Sequence, residues 1–108
     1  MPKSWNQFLE SGFPLDDYEK EIPLGEYEVI LDEVCYAKTS SRGTGIHLFA
    51  RHLATDKKHW FFVFYVPWHS SYGTAKEAKS GDRFRLVVEM GKRGIPMVRE
   101  VNPVHRSG

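Results

Sequence analysis

The sequence predicts a mainly β protein: a five-stranded barrel with one helix between the third and fourth strands. Three observations lead there. Short runs in which apolar and polar residues alternate recur along the chain, the period of two that half-buried strands require. A single segment, residues 70–80, has helix-forming composition and end signals, and it follows the third such run. The chain has 108 residues, enough for one compact domain and too few for two. Residues 25–108 are assigned to the barrel, and residues 1–24 to an acidic N-terminal arm.

In the arm, Trp5 to Leu9 can form one helical turn, but Gly12, Pro14 and Pro23 break any longer element. Trp5, Phe8, Leu9 and Phe13 are expected to pin the arm to the body, since exposed aromatics at a terminus are a liability. Gly25 opens the first strand, in which Tyr27, Val29 and Leu31 alternate with Glu26, Glu28 and Ile30. After Asp32 and Glu33 the apolar phase moves to Val34 and Tyr36. Such a slip is what a β-bulge produces, and a bend there lets one strand serve two sheets.

Residues 38–43 form a polar, basic loop. The second strand runs from about Thr44 to Ala54, with Ile46, Leu48 and Ala50 on one side and His47, Phe49 and Arg51 on the other. A polar turn, Thr55 to Lys58, leads to the third strand, His59 to Val66, which is apolar on both faces and is ended by Pro67. Ser70 or Ser71 caps the helix, and Gly81 stops it. In the fourth strand Phe84, Leu86, Val88 and Met90 alternate with Arg83, Arg85, Val87 and Glu89. The basic turn Gly91-Lys92-Arg93-Gly94 then leads into Ile95, Met97 and Val101 of the fifth.

This order, with a bent first strand, resembles the OB-fold over residues 25–103. It also resembles the small OB-fold single-strand-binding proteins of phages and mobile elements, by topology and not by a signature motif. An SH3-like barrel or a short β-sandwich fits the same strand count. The OB resemblance implies a ligand crossing the face of strands two and three, between the first and last hairpin loops. Those loops supply Lys38 and Arg42, and Lys92 and Arg93, each pair flanked by small residues that let a backbone approach.

Pairing Ala54 with His59 across the turn sets Arg51 opposite Phe62 and Phe49 opposite Phe64. Ile46, Leu48, Phe61 and Val63 then share the purely apolar face, expected to be the core. The mixed face becomes a platform. Sequence-tolerant binding of a single strand needs cations for phosphates and flat rings for bases. The candidate site is therefore Lys38, Arg42, Phe49, Arg51, Trp60, Phe62, Phe64, Lys92 and Arg93. Burial of Trp60, Phe62 or Phe64 beneath the arm competes with this assignment, because a strand apolar on both faces is often covered on both.

Aromatics make up 14% of the chain, an excess that needs a home in the core or on a binding face. The net charge of +1 conceals an asymmetry: residues 1–33 hold nine acids against two lysines, and residues 34–108 hold thirteen Lys and Arg against five acids. A basic body suggests a polyanionic partner that the acidic arm shields or tunes. The lone cysteine, Cys35, excludes an internal disulfide and is expected in the core. His47 and His52 lie on opposite faces of a strand, and the other histidines have no ligand spacing, so no metal is expected. No phosphate loop or nucleophile elbow occurs, and neither a cofactor nor catalysis is expected.

The expected partner is single-stranded DNA, with RNA open, in phage or mobile-element replication or recombination. A homodimer and a replication protein partner are compatible with this. No membrane association is expected, because no apolar run approaches roughly 18 residues and Met-Pro-Lys-Ser-Trp is not a signal peptide. The expected setting is the cytoplasm. A protein–protein adaptor, or a viral assembly protein, using the same aromatic strand face is the competing class.

Overall fold

The longest element is a 12-residue strand, β1 (Gly25–Tyr36), whose two halves have different neighbours. The computed structural model describes residues 3–37, 45–64 and 70–104. It adds β2 (Gly45–His52), β3 (Lys58–Phe64), β4 (Arg83–Met90) and β5 (Pro96–Pro103), with helices α1 (Trp5–Glu10) and α2 (Ser70–Lys76). All ladders between the five strands are antiparallel and the sheet order is β3-β2-β1-β4-β5. The outer strands β3 and β5 touch, but no ladder joins them among the described residues. The fold is thus one curled, open, five-stranded sheet with a helix between β3 and β4.

The phase slip in β1 is a bulge. Leu31 pairs with Ala50 and Glu33 with Phe49, so Asp32 is the extra residue. Val29 and Leu31 before it and Val34 after it therefore all face the main core. Strand β4 pairs only with residues 25–30 of β1. A second bulge lies in β5, where Val87 pairs with Glu100 and Val88 with Val98, leaving Arg99 extra. Buried Ser71 of α2 fastens that bulge: its Oγ donates to Arg99 O (3.3 Å) and accepts from Val101 N (3.2 Å).

The β2–β3 register differs from the expected one by four residues: Phe49 pairs with Trp60, His47 with Phe62 and Arg51 with Lys58. The cause is a side chain. Strand β2 stops at His52, whose Nδ1 accepts from Ala54 N (3.1 Å) and Thr55 N (3.3 Å). Asp56 takes the left-handed conformation (φ 61°) and its N–H returns to His52 O at 2.7 Å. The displacement is even, so each side chain keeps its face. Helix α2 is also shorter than expected. Asp82 Oδ2 takes the Lys79 N–H (2.9 Å), and Gly81 at φ 92° turns the chain into β4.

The main core is that of the apolar face: Ile46, Leu48, Phe61 and Val63 meet Val29, Leu31, Phe84, Leu86, Val88 and Val101. On the other face lies a second cluster of Phe8, Tyr18, Cys35 and Phe49, edged by Trp5, Phe13 and Leu15. The arm builds it. A capping box starts α1, with Ser4 Oγ accepting from Gln7 N and Gln7 Oε1 from Ser4 N. The arm joins β1 where Tyr36 N donates to Lys3 O (2.8 Å), and it joins β3 through Glu19 N to Lys58 O (3.0 Å) and Trp60 N to Glu19 O (2.8 Å). Leu9, expected to pin the arm, is 48% exposed, because α1 turns Phe8 inward in its place.

Phe8 is fully buried and stacks on Phe49 at 4.8 Å between ring centroids. Phe8→Ala is expected to lower unfolding free energy by about 3–5 kcal/mol in urea titration. Leu9→Ala on the same helix should change it by less than about 0.5 kcal/mol. Equal effects would show that the arm is not part of the folded unit.

Candidate functional site

Alternation along β3 sends Trp60, Phe62 and Phe64 to the face opposite the main core. Facing them across the open seam is the β4–β5 hairpin. Between lies a groove of about 930 Å³. Half-buried Trp60 and Phe62 form its floor, Phe64 stands 52% exposed at one end, and Met90, Ile95 and Met97 form the hairpin wall. Lys20, Lys92, Arg93 and Arg99 line it as well, with Glu89 as the one acid.

Close packing sets the rings. Phe62 and Phe64 meet edge to face at 4.6 Å. Phe62 also leans over Gly45, where a Cβ would collide with its ring and lie 2.8 Å from Val63 O. Only glycine permits that approach. On the hairpin, a Cβ on Gly91 would lie 2.6 Å from Met97 Sδ. Gly91 thus admits Met97, while Gly94 at φ 73° makes the turn.

Charge on the rim is uneven. Arg99 Nε lies 3.4 Å from Glu89. Among the described residues Lys20, Lys92 and Arg93 form no ion pair, and Lys20 Nζ sits 4.8 Å over the Trp60 ring. Below it, Trp60 Nε1 donates to His47 Nδ1 at 2.8 Å. Burial, and then the Lys20 charge, press the His47 pKa down to about 4.

The groove gathers five of the nine candidate residues: Trp60, Phe62, Phe64, Lys92 and Arg93. Phe49 is a correction. It is fully buried, with Phe8 at 4.8 Å, Phe13 at 5.2 Å and Tyr18 at 5.5 Å covering its ring. The arm supplies those rings, so no base reaches Phe49 while it is docked. Arg51 does not line the groove; it lies 3.8 Å from both Asp32 and Asp56, beside the β2–β3 turn. Lys38 and Arg42 lie outside the described residues.

Lys20, His47 and Arg99 were not among the candidates. His47 was legible, since it shares its β2 face with Phe49 and Arg51. Lys20 was not, because it reaches the groove only through the path of the arm. Arg99 is aimed by the β5 bulge, which the run Val98-Arg99-Glu100-Val101 marks with the same three-residue apolar spacing as Leu31 to Val34.

Cys35 is fully buried, and burial, with the Glu33 charge second, pushes its thiol up to about 12, so it stays protonated. Among the described residues no three His, Cys, Asp or Glu side chains converge as metal ligands. No described helix is long and apolar enough to cross a membrane. Comparisons with protein-family models, with curated proteins and with solved structures find no match to the chain.

His47 gives the fold a pH dependence with a definite sign. Its folded pKa of about 4 lies below the unfolded value of about 6.5, so the unfolded chain binds the proton that the folded chain excludes. Stability from this residue is complete above about pH 6.5 and is lost as pH falls towards 4. His52, lowered by burial and by the His59 charge, acts in the same direction. Urea titrations should show wild type losing on the order of 2 kcal/mol more than His47→Gln across this window. Parallel pH profiles would refute the assignment.

Proposed function

We propose that this chain is a non-catalytic module that binds single-stranded nucleic acid, foremost single-stranded DNA, without strong sequence demands. The observation that carries the proposal is a convergence in the groove. A row of rings, Trp60, Phe62 and Phe64, shares one cleft with Lys20, Lys92 and Arg93, cations from two distant segments that no described acid pairs. Rings accept stacked bases at about 1–3 kcal/mol each, and the cations track phosphates. The strand order, the contact between β3 and β5, and the helix after β3 support reading the open sheet as a partly open OB-type barrel. In that frame the ligand runs along β3 and the last hairpin, since the arm occupies the rest of the β2–β3 face. A place in phage or mobile-element replication belongs to the same proposal.

A second reading has its own observation. Phe64 is 52% exposed, Met90 55% and Ile95 60%, an apolar rim that suits a protein partner. Salt separates the two readings, because phosphate contacts release counterions and a hydrophobic dock does not.

Fluorescence anisotropy with labelled oligo-dT, read together with Trp quenching, tests the proposal. Binding should saturate, quench Trp60 and weaken with salt, with a log–log slope near about −2 from three phosphate contacts. Phe62→Ala should weaken it about 5- to 100-fold, one lost stacking partner. Lys92→Ala with Arg93→Ala should reduce the slope by about 1.4. No binding at low salt would refute the nucleic-acid reading and leave the protein dock as the function to pursue.

A further inference from the structure

One polar group sits among the groove's rings, and stacking does not use it. His47 has ring centroids of Trp60 at 5.3 Å, Phe62 at 5.0 Å and Trp5 at 5.2 Å around its own. This packing fixes the plane of the imidazole. The hydrogen bond from Trp60 fixes its tautomer. An indole N–H has no lone pair and can only donate. His47 Nδ1 lies 2.8 Å from Trp60 Nε1, so Nδ1 must present its lone pair. The ring proton therefore sits on Nε2, and a second proton would set one N–H against another.

Among the described residues nothing accepts from that Nε2–H. It is not sealed in either, because Arg51 Nε is the only fully buried side-chain nitrogen or oxygen there without a partner. His47 lines the groove, so the groove is where its donor meets solvent. The result is a hydrogen-bond donor of fixed position and fixed sign beside the ring of Phe62, its cross-strand partner. A solvent-exposed lysine adapts to whatever ligand arrives, whereas this group cannot turn over or exchange donor for acceptor.

We propose that His47 is a specificity-determining residue whose Nε2–H donates to the keto oxygen at C4 of a pyrimidine, or C6 of a purine, stacked on Phe62. Thymine, uracil and guanine carry an acceptor there, whereas cytosine and adenine carry an amino group that would oppose the donor. The selected ligand is a keto-base single strand. The preference is modest, because a single neutral hydrogen bond or its mismatch decides it. This inference rests on the nucleic-acid reading of the same groove.

Oligo-dT against oligo-dC gives the test, because both are pyrimidine strands that differ on this edge. Wild type should bind oligo-dT about 3- to 10-fold more tightly. His47→Phe, which keeps a ring but loses the donor, should bind both strands alike. His47→Gln, which can accept from Trp60 and donate into the groove, should recover part of the preference. Ring-nitrogen NMR of the wild-type chain, which needs no variant to fold, should find the His47 proton on Nε2 and shift that proton when oligo-dT is added. Equal affinities in wild type, an unchanged preference in His47→Phe, or a proton on Nδ1 would each overturn the inference and leave stacking intact. Failure of wild type to bind either strand would overturn the nucleic-acid reading as well.

Discussion

The bulge at Asp32 is the constraint from which the rest of the sheet follows, because β1 must serve β4 along residues 25–30 and β2 along residues 29–36. Where β4 departs, the backbone of β1 is left without a strand partner, and other segments take it up: Leu31 N donates to Asp82 O and Tyr36 N to Lys3 O, each at 2.8 Å. Asp32 also ties three segments to the bend. Its Oδ2 accepts from Tyr18 Oη at 2.5 Å, its Oδ1 lies 3.8 Å from Arg51, and its carbonyl accepts from Ser80 Oγ at 2.8 Å. Burial first, and then this hydrogen bond, raise the Tyr18 pKa, so the phenol stays a donor to the carboxylate. Arm, hairpin turn and helix exit are thus fastened at one extra residue.

Packing, more than hydrogen bonding, holds the arm. Among the described residues its backbone pairs with strand backbone at Lys3 and Glu19 alone, as isolated bridges, and such bonds contribute about 0.5–1.5 kcal/mol each. Burying Phe8 and Phe49 contributes about 1.5–3 kcal/mol apiece, and Phe13 and Tyr18 extend the cluster. This division of the outer face positions the site. Towards β1 the face becomes a second core, and towards the hairpin it stays open, with Trp60 at the boundary between Trp5 and Lys20.

The charge asymmetry has a partly structural use. Acids of residues 1–33 meet cations of the body or of the arm itself: Glu26 with Arg85 at 3.2 Å, Asp32 with Arg51 at 3.8 Å, Glu33 with Lys3 at 3.0 Å. These pairs are largely exposed and contribute little to stability. Their effect is on distribution. Arg51 is matched with acids at the turn, while Lys92 and Arg93, on the β4–β5 hairpin, form no ion pair among the described residues.

Local chemistry made much of the fold legible. The period of two assigned the core face, the slip between Leu31 and Val34 marked the bulge, and the basic hairpin identified Lys92 and Arg93. The Ser4–Gln7 capping box is legible in the sequence too. Tertiary structure decided the rest. The β2–β3 register depended on the His52 imidazole folding back onto its own turn, which residue composition does not encode. Whether a strand's outward rings are platform or core depended on what covers them. Alternation is a property of one strand and can be read from it, whereas cover comes from segments distant in the chain. Phe49 and Phe62 share one pattern and one face. Phe8 lies on the first, and the groove opens over the second.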